Sequence, residues 1–291
     1  MAAWSAPALE RREGGGLDCP GAGRPLNERE VAPCGMGSYT IPIMQPTSNQ
    51  SFAPAGEASL AASRASFLRR VYLLMTGAVG VSAATAAATT MLGLESGVVL
   101  KNGVVIPPAV ALSIEHPFLT FGVLLAATFG AGAVIRRPGI NLLALFGLAG
   151  LMGFVAGPAI WFAQFKASQG QALTGSPVLH SAGLALTAFV GLSAYAIVSR
   201  RDFSSLGAFL SMGLLVVLGA SVLNLFLGAS VLSLAIASVM ILLFGGYVLY
   251  DTSRMLQEGE DDPVPVALSQ FLNLLNLFLA LLRIFSGGRR D

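Results

Sequence analysis

The longest uncharged stretch of the chain runs from Phe203 to Tyr250, 48 residues without one Asp, Glu, Lys, Arg or His, and it ends at Asp251. At a rise of about 1.5 Å per residue, a helix of that length is about twice as long as the ~30 Å hydrocarbon core of a bilayer is thick. The stretch therefore predicts two membrane-spanning helices, joined by a short turn at Gly228-Ala229-Ser230.

Similar apolar stretches recur along the chain and predict seven spans in total. Polar residues or prolines separate them, and Pro263 and Pro265 suit the first turn of the last helix. The pattern indicates an all-α membrane protein. The predicted spans are residues 71–93, 117–135, 140–162, 178–198, 207–227, 230–250 and 264–285.

The composition agrees with a membrane protein, since 54% of residues are hydrophobic and 11% are charged, whereas about 25% are charged in a typical soluble domain. A net charge of +2 gives no reason to expect a nucleic-acid partner. Residues 1–62 differ, being rich in Gly, Pro and Ser, and they predict a disordered arm ahead of a transmembrane bundle at 63–291. Met36 and Met44 are candidate start sites, which would make residues 1–35 a start-site artefact.

The basic residues near the span ends are unevenly divided between the two sides of the predicted bundle. Because Lys and Arg concentrate in cytoplasmic loops, we expect a cytoplasmic N-terminus. The tail Arg289-Arg290 disagrees if all seven segments cross, so either those late charges are overruled or the last segment does not cross completely. The N-terminal side has Arg64, Arg69, Arg70, Arg136, Arg137, Arg200, Arg201 and Arg254, and the opposite side has Lys101 and Lys166.

Few residues are suited to catalysis. His116 and His180 are 64 residues apart, with no carboxylate or cysteine at ligand spacing, which argues against a metal-hydrolase site. The sequence also lacks the motif of an intramembrane serine protease, and its lysines lie in predicted loops, where they cannot hold a retinal. We expect no enzymatic activity, no metal and no cofactor, which leaves transport, conduction or regulation of another protein.

The last predicted span has a polar stripe on an otherwise apolar helix. A face of this kind is expected to point into the bundle, where polar groups find partners or water. It indicates either hydrogen bonds between helices, at about 0.6–2 kcal/mol each, or a central helix beside a pore, which we favour. Helical spacings of four, three, four and three residues relate Ser269, Asn273, Asn276, Ala280 and Arg283.

Asp251 is expected at the C-terminal end of the sixth span. At that position the helix dipole and partial desolvation would both favour the protonated carboxyl. Arg254, or Arg136 and Arg137 on the same side of the membrane, could oppose both effects by pairing with the carboxylate. The arrangement predicts a breakable ionic latch, and the alternative is an ordinary interfacial carboxylate solvated by the cytoplasm.

Four pieces of sequence resemble a known family in their order and spacing. They are Phe67-Leu-Arg-Arg-Val-Tyr-Leu-Leu-Met75, Ser199-Arg-Arg-Asp-Phe-Ser204, Gly246-Tyr-Val-Leu-Tyr-Asp-Thr252, and Asn273-Leu-Leu-Asn-Leu-Phe278 with Leu281-Leu-Arg-Ile284. Over about residues 64–286 the chain resembles the Bax inhibitor-1 family of membrane proteins and its bacterial relatives. The resemblance implies seven helices, with two three-helix layers around a central C-terminal helix, and a bacterial inner-membrane location.

The resemblance also implies a pH-sensitive calcium leak through a pore that the last helix closes. In the family, an Asp ending the sixth span and an Asp on the seventh share a proton, and an Arg at the end of the second span pairs with the former. Asp251 matches the first Asp. Arg136 is the best match for the Arg, with Arg137 one position away, whereas Asn273 stands where the family has its second Asp.

This departure matters because two close carboxylates titrate as a coupled pair, and Asp251 beside a neutral amide cannot. Asn273 can still form a hydrogen bond with Asp251. The leading hypothesis is a latent pH-sensitive leak for Ca²⁺ or other cations, gated around Asp251, with Asn273 and Asn276 along the pathway and the lipid bilayer around it. The alternative is a non-conducting regulator that binds a membrane-bound, ATP-dependent protease or another membrane partner.

Overall fold

The computed structural model describes residues 55–91, 98–99, 105–135, 137, 139–199, 201–258 and 262–287. These residues form eight helices and one small hairpin. The helices are α1 (Ala55–Met91), α2 (Pro108–Glu115), α3 (Pro117–Val134), α4 (Asn141–Ser168), α5 (Pro177–Ser199), α6 (Leu206–Leu227), α7 (Ser230–Glu258) and α8 (Pro263–Ser286). In the hairpin, strand β1 (Val98–Val99) pairs antiparallel with β2 (Val105–Ile106).

Six of these helices, α1 and α4 to α8, are long and apolar enough to cross a membrane, judged by length and composition. The seventh apolar helix, α3, is shorter. The predicted all-α membrane class is confirmed, and each predicted span corresponds to one of these seven helices. Helix α2 and the hairpin were not predicted, because the connection between α1 and α3 that contains them has no sustained apolar period.

Helix α1 begins before the predicted start of the bundle at residue 63. Its first residues, from Ala55, are mainly Ala, Ser and Glu, which a helix accommodates at low cost. The rest of the predicted arm, residues 1–54, lies outside the described residues, so its disorder remains a prediction.

Helix α8 is the most buried of the six candidate spans, and it packs against α1, α4, α5 and α7. Of its most apolar window, 61% is buried, against 11% for α6. The sequence sets its start, since Pro263 occupies the first turn and the Asp262 side chain accepts a hydrogen bond from the backbone N–H of Val264 at 3.0 Å. The largest core cluster gathers around this helix.

Helices α1 and α4 pack closely against each other. A Cβ atom at Gly153 would collide with the carbonyl oxygen of Ser82, and one at Gly157 would lie 2.7 Å from Thr89 Cγ2. Small residues let two membrane helices approach this closely. Helix α4 therefore packs tightly against α1 at these two glycines, although Gly147 has open space beside it.

Two contacts fix the ends of α8. Near its start, Asn141 Nδ2 donates to Asp262 Oδ2 at 2.9 Å, which joins α8 to the first residue of α4. At its other end, the backbone N–H of Leu173, in the loop after α4, donates to the carbonyl oxygen of Phe285 at 3.0 Å. Helices α8 and α4 therefore run in the same direction.

Candidate functional site

Asp251 lies within α7, not at its end. The helix continues for seven residues to Glu258, about two turns. The prediction that Asp251 lies at the C-terminal end of its helix was therefore wrong. The dipole effect falls off within the last turn and does not act on it appreciably. The helix continues because Thr252, Ser253 and Met255 are still buried against neighbouring elements after the apolar run ends.

Asp251 is half-buried against α8 and accepts two short hydrogen bonds there. Ser269 Oγ donates to Asp251 Oδ2 at 2.5 Å, and Asn273 Nδ2 donates to the same oxygen at 2.6 Å. Ser269 and Asn273 are four residues apart, so they lie on one face of α8. The structure thus brings together Asp251 and the amide that replaces the family's second carboxylate.

A second polar contact between α7 and α8 lies beside the first. Gln270 Nε2 donates to Thr252 Oγ1 at 3.2 Å, and both residues are fully buried. Gln270 Oε1 is buried without a protein partner among the described residues. This pair was not predicted from the sequence. A Gln inside an apolar span was the available signal, because a polar side chain in a membrane helix usually faces another helix.

The end of α7 is also tied to the loop between α5 and α6. Ser253 Oγ donates to the carbonyl oxygen of Arg201 at 3.1 Å and accepts from the backbone N–H of Phe203 at 3.2 Å. In the same loop, hydrogen bonds from the Ser204 side chain and backbone lower the pKa of the exposed Asp202 carboxyl. These contacts hold α7 in place on the side away from α8.

The predicted basic partners of Asp251 lie in different places. Arg254, one turn further along α7, is exposed and interacts electrostatically with Asp251. Arg137 is exposed in the turn between α3 and α4, and it is not among the described contacts of Asp251. Arg136 lies outside the described residues, so the ionic latch remains a prediction.

The polar stripe of α8 does not act as one unit. Ser269 and Asn273 face α7, but Asn276 Nδ2 donates to the carbonyl oxygen of Leu272 in its own helix at 2.8 Å. Arg283 is exposed. The polar contact with α7 is therefore confined, among the described side chains, to the first half of α8.

No group of three or more His, Cys, Asp or Glu side chains within the described residues could hold a metal ion. At this site the Asp251 carboxylate can gain or lose a proton and accepts hydrogen bonds from α8. A change in the protonation of Asp251 would directly alter its attachment to α8, because both of its short hydrogen bonds come from that helix.

Comparisons with known proteins show which family this chain belongs to. A family model described as inhibitor of apoptosis-promoting Bax1 matches residues 64–291. A membrane protein of Vibrio cholerae is 35% identical over 223 residues, which cover 75% of this chain and 87% of the relative. The Escherichia coli K12 protein named modulator of FtsH protease YccA is 31% identical over 224 residues, covering 77% and 91%. This chain is therefore a multi-pass membrane protein that belongs to the Bax inhibitor-1 family.

Proposed function

We propose that this protein is a latent, pH-sensitive leak for Ca²⁺ or other cations, and not an enzyme, with a gate at the contact between Asp251 and α8. One observation supports this proposal above the others: Ser269 and Asn273 of α8 both donate to the same carboxylate oxygen of α7. The best-buried helix of the bundle is thereby tied to a half-buried, ionisable side chain.

Protonation of Asp251 is the step that would loosen this contact. A hydrogen bond to a charged acceptor contributes about 1.5–3 kcal/mol, whereas one between neutral groups contributes about 1 kcal/mol. Loss of the charge therefore weakens the attachment of α8, and a difference of about 1.4 kcal/mol changes an equilibrium tenfold. The leak should consequently increase as the pH falls.

Asp251→Asn tests this gate, because it removes the charge and keeps the shape. In liposomes loaded with a Ca²⁺-sensitive dye at pH 7, we expect this variant to leak several-fold faster than the wild type. Ser286→Ala is the control on α8, since the Ser286 hydroxyl donates to the carbonyl oxygen of Arg283 in its own helix, and its flux should equal that of the wild type. Wild-type flux from folded Asp251→Asn protein would remove Asp251 from the gate.

We also propose that α3 crosses the membrane, which gives seven spans in two three-helix layers around α8. Helices α1 and α4 pack in the same direction, since Ser82 lies beside Gly153 and Thr89 beside Gly157. If α1 and α4 both span the membrane in the same direction, the chain between them must cross back once, and α3 is the helix available for that crossing. With 18 residues, α3 is about 27 Å long, close to the ~30 Å hydrocarbon core.

The basic residues favour a cytoplasmic N-terminus. Arg137 and Arg201 would then also lie in the cytoplasm, and Lys166 outside it. Because α8 runs parallel to α4, we expect it to cross the membrane completely. The basic residues Arg289-Arg290 would then lie outside the cytoplasm, against the usual charge bias. A relative in Escherichia coli is named inner membrane protein YccA, which favours the same location here. Reporter fusions after Arg137 and Lys166 test the orientation, and a reversed pattern contradicts it.

A second candidate function is regulation of a membrane-bound protease. It is favoured by the relative named modulator of FtsH protease, which matches over 91% of its own length. A reconstitution experiment distinguishes the two functions. If folded protein passes no Ca²⁺ at any pH but changes the rate at which a reconstituted, ATP-dependent membrane protease degrades its substrate, the regulator is the correct function.

A further inference from the structure

A cavity of about 580 Å³ lies between α1, α4, α5 and α8, away from the Asp251 contact. From α8 it is lined by Phe271, Leu274, Leu275 and Phe278, whose spacing places them on one face. At 100° per residue, this face is roughly opposite the one that bears Ser269 and Asn273. The cavity is therefore a separate feature of the bundle.

The lining is mostly apolar, apart from Ser82 on α1 and a more polar end. Small or aliphatic residues of α1, α4 and α5 form the walls, whereas Thr90 and Gln164 lie in the last turns of α1 and α4. Trp161 lies beside this polar end, and Trp is enriched where a membrane meets water. The polarity thus changes from the bundle interior toward one membrane surface.

The cavity opens sideways between α1 and α5. Ala83 on α1 and Leu186 on α5 both line it and are both exposed. Along α1 the lining extends from Val79 to Met91, which is roughly 18 Å at 1.5 Å per residue. One leaflet of a ~30 Å hydrocarbon core is about 15 Å deep, so the cavity is about as long as one leaflet is deep.

We propose that this cavity binds one acyl chain of a membrane phospholipid, with the ester end at Thr90 and Gln164. Water is a poor occupant, because apolar cavities stay dry. A single acyl chain that enters between α1 and α5 matches the length of the cavity and its change in polarity.

The test uses Trp161 as a natural probe. The chain has two Trp residues, so Trp4→Phe leaves Trp161 alone. A phosphatidylethanolamine whose acyl chain is brominated at mid-length is titrated into the detergent-solubilised protein, and quenching of Trp161 fluorescence is measured. We expect quenching that saturates at about one lipid per chain, and native mass spectrometry should show one phospholipid retained.

Two neighbouring substitutions distinguish the site from the surrounding lipid. Ala83→Phe fills the cavity, whereas Ala84→Phe places the same ring on an exposed position outside the lining. We expect saturable quenching to fall at least fivefold in the first variant and to stay unchanged in the second. Ala182→Phe on α5 provides an independent block if the first variant does not fold. Quenching that never saturates in the wild type, or that folded blocked variants retain, would overturn the proposal.

Discussion

Helices α6 and α8 are both candidate spans of similar length, yet their environments are opposite. The mean hydropathy of α6 is 2.3 and that of α8 is 1.7, but 11% of the α6 window is buried against 61% for α8. Among the stronger helix contacts, α6 packs against α7, whereas α8 has four neighbours. The less hydrophobic helix, α8, is therefore the one surrounded by other helices.

The reason lies in the solvent that each helix meets. A helix that faces lipid must be apolar on nearly all sides, because hydrocarbon offers no hydrogen-bond partner. A helix surrounded by protein can carry polar side chains, since its neighbours satisfy them. In this way Asp251 accepts hydrogen bonds from Ser269 and Asn273, and Thr252 accepts one from Gln270. In this bundle, the polar stripe identifies the central helix better than hydropathy does.

The largest expected difference between these two helices is in packing. Leu277 of α8 is 1% exposed and Leu215 of α6 is 72% exposed. We expect Leu277→Ala to lower the free energy of unfolding by about 3 kcal/mol, because a buried cavity is left behind. Leu215→Ala, which replaces a lipid contact, should cost less than about 1 kcal/mol. Thermal and denaturant unfolding in one detergent measures both, and equal losses would contradict the contrast in burial.

A smaller effect is expected where α1 meets α4, the other tightly packed region. Gly153→Ala should destabilise the protein by about 1–3 kcal/mol, because the new methyl group meets the Ser82 carbonyl, which cannot move without the backbone. Gly147→Ala on the same helix has open space and should stabilise by up to about 1 kcal/mol through helix propensity. The same unfolding measurement applies, and a loss in the Gly147 variant that matches the first would count against this packing.

The smallest effect concerns the helix starts. Asp262 caps α8 and also accepts a hydrogen bond from Asn141, whereas Ser205, at the same position of α6, makes no side-chain cap. We expect Asp262→Ala to cost about 1 kcal/mol and Ser205→Ala to stay within about 0.5 kcal/mol of the wild type. If neither substitution lowers the unfolding temperature, the cap does not hold α8.

Local sequence patterns predicted much of this fold. The uncharged run located the turn at Gly228, whose φ of 61° suits glycine, and Pro263 marked the start of α8. Hydropathy did not predict that α7 continues beyond Asp251, because tertiary packing, not apolarity, stabilises its last two turns. The contact of Gln270 with Thr252 was missed for a related reason, since the sequence does not state which helices are neighbours.

The proposed gate depends most on the link between Asp251 and α8, and a pH titration of Ca²⁺ flux tests that link directly. Asn273→Asp places a second carboxylate where the Asn273 amide now lies 2.6 Å from Asp251 Oδ2. Because two adjacent anions resist joint ionisation, one proton should be retained to higher pH. In dye-loaded liposomes between about pH 5 and 8, we expect the midpoint of the variant's flux to lie about one pH unit or more above that of the wild type, equivalent to about 1.4 kcal/mol. Coincident curves from two folded proteins would contradict a gate at Asp251.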